Sequence, residues 1–188
     1  MDMDMDMDRL FLIEKMPNLS LEFSRLVSMM NYARFTTLRD VSDLSVKELD
    51  FLSYDHANSI GMLLLHMAAV EVAYQVHTFE NRDLTANELS IWEPALQLGE
   101  LGREKIKNYP IEFYLEKLHT VRHNTLQRFQ TLPDEWLYTT TPFWYDKPSN
   151  NYFKWFHVFE DEISHRGQIR IIKNCYKSRP NKEKIDSI

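Results

Sequence analysis

The stretch 157–170, HVFEDEISHRGQIR, places His157, Asp161 and His165 at intervals of four residues. On an α-helix, positions four apart differ by about 40° in azimuth and one turn in height. Asp161 and His165 can therefore both reach one point beside the helix. His157 lies one turn further back and drifts by the same angle again, so it reads as a neighbour of that point. An earlier apolar run, MLLLHMAAV at 62–70, carries a single polar residue, His66. If the two segments pack as facing helices, His66 supplies a second imidazole. Two imidazoles and a carboxylate suit a borderline divalent ion, and three protein ligands leave a position open. Zn, Ni, Fe and Mn all fit such a set. A water on the ion ionises near neutral pH, and a thiol loses its proton. Spacing alone leaves a plain alternative open. A histidine on an apolar face is usually a satisfied core residue, and a His–carboxylate pair four apart is an ordinary helix pair.

The elements that would carry these residues are helical. Leu19, Phe23, Leu26, Met30 and Ala33 follow Pro17 at helical spacing, to about Arg39. Ser45 and Glu48 fit a capping box for a short turn. A second helix starts at Asn58–Ser59 and runs to about Phe79, with Leu63, His66, Val70, Ala73 and His77 on one face. Pro94, Gly99, Gly102 and Pro110 punctuate residues 80–110, a connection long enough to require at least one short helix. A third helix spans about 111–131, with Leu115, Leu118, Thr125, Phe129 and Leu132 on its face. A fourth spans about 152–176, with Phe153, His157, Asp161, Gln168, Ile172 and Cys175 in its stripe. No strand pair shows a hairpin signal. The expectation is an all-α four-helix bundle with a long connection between the second and third helices. Residues 1–16 read as a flexible leader, 17–178 as one domain and 179–188 as a basic tail.

Composition narrows the functional classes. The chain has 188 residues, 44% hydrophobic and 27% charged, with a net charge of −6. That is globular, and it lacks the basic patch of a nucleic-acid binder. No apolar run reaches the about 18–20 residues of a membrane span. The single Cys175 rules out an internal disulfide and suits a reducing cytoplasm.

Three segments carry a resemblance. NSIGMLLLHMAAVEVAYQ (58–75), LEKLHTVRHNTLQRFQTLPDEWL (115–137) and HVFEDEISHRGQI (157–169) together resemble the DinB/YfiT-like superfamily of metal-dependent four-helix bundles, which are often dimeric. The family holds its metal with one histidine of the second helix and an H-x-x-x-H pair of the fourth. The resemblance thus implies His66 and His165 as ligands, with Asp161 standing where the family has histidine. It extends to Gly167 and Gln168. Gln168 would stand beside the ligands with His157, and Gly167 would mark a close helix approach. The resemblance implies a hydrolase or thiol S-transferase. Its metal would activate water or a low-molecular-weight thiol cosubstrate towards a small-molecule substrate, in a homodimer. The competing expectation, which the Asp161 departure favours, is a non-catalytic dimeric bundle whose polar core is structural or binds a ligand, with a stress-related role.

Other residues carry weaker expectations. Glu71 is turned away from His66 and should pair with a basic residue elsewhere. His119 and His123 have a two-ligand spacing but no third donor. Arg166 should face solvent or a partner. Cys175 should be a buried apolar residue. Among the aromatics of the connections, Trp144 is a candidate to line the mouth of a pocket.

Overall fold

The computed structural model describes residues 8–179. The start of the expected leader (1–7) and the expected tail from residue 180 onward lie outside the described residues. Within the leader, residues 8–16 lie along the first helix. Leu10 is buried, and Phe11 meets Tyr32 with ring centroids 6.2 Å apart.

Four long helices dominate: α1 (Leu21–Val41), α3 (Ile60–Phe79), α6 (Ile111–Phe129) and α8 (Asn151–Lys177). Their starts follow local chemistry. The hydroxyls of Ser20 and Ser59 accept the amides of Phe23 and Met62, and the Asn150 side chain accepts that of Phe153. The capping box of Ser45 and Glu48 forms and opens α2 (Val46–Leu49). The long connection holds α4 (Ala86–Gln97) and α5 (Gly99–Lys105), turned against each other at Leu98 and Gly99, both with positive φ. Helix α1 packs with α8 and α6 with α3, α1 also touches α6, and α3 packs with α8 and α4.

The connection before α8 departs from expectation. After α7 (Asp134–Tyr138) come two short antiparallel strands, β1 (Thr140–Pro142) and β2 (Pro148–Asn150), with Thr141 opposite Ser149. Three-residue strands with a proline in each carry no alternation that sequence could reveal. Tyr145 and Asp146, at φ 56° and 57°, reverse the chain between them.

The core forms two apolar clusters. One gathers Leu63, Leu64, Ala68, Leu118, Val121 and Ile169, and the other Phe23, Met30, Phe129, Trp155 and Val158. Between them each long helix contributes one buried charge to a shared network: Arg34 (α1), Glu71 (α3), Arg122 (α6) and Glu162 (α8). They close a ring. Arg34–Glu71 is 3.2 Å, Glu71–Arg122 is 2.8 Å, Arg122–Glu162 is 3.5 Å and Glu162–Arg34 is 2.9 Å. The Thr125 hydroxyl donates to Glu71, and the carbonyls of Met30 and Leu118 accept from Arg122 and Arg34. Glu71 thus has the basic partners expected of it. Burial opposes its charge, but the two guanidiniums overcome this and lower its pKa.

Helix α3 is the one helix among the described residues long and apolar enough to cross a membrane by composition, with mean hydropathy 1.3. Here it is a core helix, and Glu71 at its middle is fully buried in the ring.

The stripe expected on α8 is rotated. The buried row is Asn151, Lys154, Trp155, Val158, Phe159, Glu162, Ile169 and Ile172. Phe153, Gln168 and Cys175 are exposed, so Cys175 is not a core residue. His157, Asp161 and His165 lie half-buried along the edge of that row. Gly167 is not a close approach: a Cβ there would meet nothing within 4 Å. Arg166 is half-buried and its guanidinium donates to the Thr36 hydroxyl, which corrects its assignment to solvent.

Candidate metal centre

The seam between α3 and α8 brings His66, Asp161 and His165 together. One donor atom from each lies within 4.8 Å of the others. His66 Nε2 is 3.8 Å from Asp161 Oδ2, and His165 Nε2 is 3.4 Å from Asp161 Oδ1. The two imidazoles meet edge to face, with centroids 4.8 Å apart.

The state of His66 is set from outside the trio. Its Nδ1 is 2.7 Å from the carbonyl of Ala95, in the last turn of α4. A carbonyl only accepts, so Nδ1 carries the proton and the Nε2 lone pair faces Asp161. Burial lowers the His66 pKa, against the pull of the Ala95 carbonyl and of Asp161, and keeps the ring neutral. A carbonyl that fixes the far nitrogen is the usual outer partner of a ligating histidine.

Asp161 and His165 are coupled. Burial resists the charge on Asp161, but the bond from His165 prevails and its pKa is lowered. Burial likewise resists the His165 cation, and the bond to Asp161 raises its pKa, with help from Gln168 and Glu160. Asp161 Oδ2 is nonetheless buried without a hydrogen-bond partner. A lone pair of His66 and an orphaned carboxylate oxygen thus point at the same space, an arrangement that a cation satisfies. Two ligands of one ion, each about 2.1 Å from it, stand about 3.0–3.4 Å apart. The 3.4 Å pair already has that spacing, the 3.8 Å pair is slightly beyond it, and the trio as a whole, within 4.8 Å, draws in by side-chain rotation to hold one ion. The residues present therefore fit a divalent ion.

The other candidates fall around this trio. His157 does not join it; its Nδ1 is 3.0 Å from Glu160 Oε2, and its ring packs on Trp144 at 4.8 Å and Tyr74 at 5.9 Å. Gln168 is exposed one turn after His165 and favours its protonated form, although His165 Nδ1 has no hydrogen bond. His119 and His123 stack at 6.3 Å on the exposed face of α6, and among the described residues no carboxylate completes a site with them. Trp144 lines a cavity of about 520 Å³ with Tyr74, His77, Phe143, Leu84 and Leu89.

Tyr74 is a residue that sequence reasoning missed. It follows His66 by eight residues on α3, touches His157 and Phe143, and lines the cavity. Burial and the charge of Asp161 raise its pKa strongly, so it is a neutral hydroxyl joining centre and cavity. Its spacing from His66 was the available signal, since eight residues return a helix to nearly the same face.

Among solved structures, a conserved protein from Enterococcus faecalis has the same fold, with a TM-score of 0.63 and 14% identity. The match covers 82% of this chain and 96% of that one. Comparison with curated proteins finds no match. The family model for mycothiol-S-transferase matches residues 25–177, which include His66, Asp161 and His165. With most of its length matched and a mostly helical, DinB-like fold, the chain belongs to the mycothiol-S-transferase family, a DinB/YfiT-like family.

Proposed function

We propose that the protein is a divalent-metal-dependent thiol S-transferase, with His66, Asp161 and His165 as the ligands. The carrying observation is the buried, unpartnered Oδ2 of Asp161, 3.8 Å from the free Nε2 of a neutral His66. The family match supports transfer to or from a low-molecular-weight thiol over hydrolysis.

A bound divalent ion supplies Lewis acidity, which favours the thiolate of a thiol at its open position. The protein's own groups do the rest. Ala95 holds His66 in the ligating tautomer. Asp161 brings one negative charge, so the set is harder than three histidines. In the transfer, the thiol loses its proton and its sulfur forms a bond to an electrophilic carbon, whose leaving group departs with its electron pair. Tyr74, half-buried between the centre and the cavity, lines the side where an acceptor would lie.

The finer reading is a four-helix bundle acting as a cytoplasmic homodimer on a small-molecule substrate. The pairwise packing of the four long helices and the exposed apolar Phe156 and Ile163 on α8 support it. Light scattering tests the dimer.

The functional test is transfer of a chromogenic electrophile to mycothiol and other low-molecular-weight thiols, by protein loaded in turn with Zn, Ni, Fe or Mn. Turnover with at least one metal, abolished by chelation and in His66→Ala, is expected. Stoichiometric metal without turnover towards any thiol would reduce the site to a structural one, the non-catalytic alternative.

A further inference from the structure

Lys154 is the least explained charge in the fold. It sits in the first turn of α8, where the helix dipole disfavours a cation, and it is 1% exposed. Its ammonium donates to the Thr141 hydroxyl and stands 5.6 Å over the Phe143 ring. Among the described residues it has no carboxylate partner. Arg34 and Arg122, equally buried, each have two. A buried cation with one hydroxyl and one aromatic face is poorly compensated, since burial without a counter-charge carries a large desolvation penalty.

What lies beside it supplies a reason. The partners of Lys154, Thr141 and Phe143, flank and form the Pro142–Phe143 wall of the 520 Å³ cavity. His77, which also lines the cavity, has its pKa lowered by burial first and by the charge of Lys154 second. The positive potential of Lys154 therefore reaches the cavity. The lining is otherwise apolar and aromatic: Tyr74, Leu84, Leu89, Phe143 and Trp144. Arg82 is spent on Glu80 and Glu88, and Asp83 is the one carboxylate in the lining. The volume is that of a small-ligand site.

We infer that this cavity binds a small organic carboxylate. Its apolar or aromatic body lies between Tyr74, Phe143 and Trp144, and its carboxylate lies at the His77 end, across the Thr141–Phe143 wall from Lys154. His77 follows His66 by eleven residues, about 16 Å along α3. The bound anion therefore sits beyond the metal centre and turns its other end toward Tyr74. In the thiol transferase proposed above, such a ligand is the acceptor substrate. That role rests on the transferase reading, whereas the binding itself does not.

The test uses the full chain after chelation, so that no ion can hold the carboxylate. Binding of 3-phenylpropionate and of its neutral amide is measured by calorimetry in wild type, Lys154→Met and Trp144→Ala. The acid should bind wild type at least about tenfold more tightly than the amide, a modest charge effect for a buried site. Lys154→Met should erase that preference and leave amide binding unchanged, with folding checked by thermal melting. Trp144→Ala should weaken acid and amide alike, which keeps the inference testable if Lys154→Met fails to fold. Equal binding of acid and amide in wild type overturns it, as does a preference that survives in Lys154→Met. A preference seen only after metal loading assigns the carboxylate to the metal centre. That also overturns the inference, and it leaves the metal reading standing.

Discussion

His66 Nε2 and Asp161 Oδ2 face each other across the α3–α8 seam at 3.8 Å, and Asp161 Oδ2 has no hydrogen-bond partner. The proton that could have joined them is held on the far side of the His66 ring by Ala95. Two acceptors left facing one another call for a cation.

Asp161 is the first position to vary. Asp161→Ala should weaken metal binding by more than the about 10–100-fold that loss of an outer partner costs. Asp161→His should keep stoichiometric metal, because it restores an all-imidazole set with the same helical placement. Titration with a competing chelator measures both. Unchanged affinity in Asp161→Ala would leave a site of two histidines and water.

Proton competition sets the pH dependence. His165 has a raised pKa in the folded chain, through Asp161. In chelated protein that pair adds stability below the ordinary histidine value of about 6.5, and the contribution is lost as pH rises through the raised folded value. Metal must displace the same proton, so its affinity rises over the same interval. Melting of chelated wild type against His165→Gln should show a gap near pH 5.5–6 that narrows towards pH 9. A gap that widens with pH would contradict the pairing.

The ring of Arg34, Glu71, Arg122 and Glu162 should be costly to break. Glu71→Gln leaves two buried guanidiniums sharing one carboxylate, and the expected loss is about 3–5 kcal/mol by urea unfolding. Because the folded pKa of Glu71 is lowered, its contribution is present above its unfolded value of 4.5 and is lost as pH falls through the folded value. A loss below about 1 kcal/mol would mean that water enters the ring.

Two glycines should behave oppositely. Gly167→Ala meets open space within a helix and should stabilise by about 0.5–1 kcal/mol. Gly61→Ala would place its Cβ 2.5 Å from the Tyr114 hydroxyl and should destabilise by about 1–3 kcal/mol. Thermal melting of the two variants checks the contrast.

Much of the scaffold was legible because it is written locally. Ser59 and the Ser45–Glu48 box announce helix starts, and the period of α1 is plain in Phe23, Leu26, Met30 and Ala33. Helical phase was harder to read. On α8 the sequence offers His157, Asp161 and Cys175 as a stripe, but the buried row is Trp155, Val158, Glu162 and Ile169. Glu162 and Lys154 look like surface charges, and only facing helices reveal that Arg34 and Arg122 absorb the first. That His66 would meet Asp161 and His165 was legible through the four-residue spacing of the latter two and the family likeness. Tyr74, the Ala95 carbonyl and the short hairpin were not, because each depends on a tertiary neighbour that leaves no periodic trace.

The central claim is a divalent ion held by His66, Asp161 and His165. Its most direct test is elemental analysis of untagged protein purified without a nickel column, in wild type and His165→Ala. The account predicts close to one divalent ion per chain in wild type and a small fraction of that in His165→Ala, with both proteins folded by circular dichroism. Wild-type protein without stoichiometric metal, and unable to take any up from Zn, Ni, Fe or Mn, would contradict it.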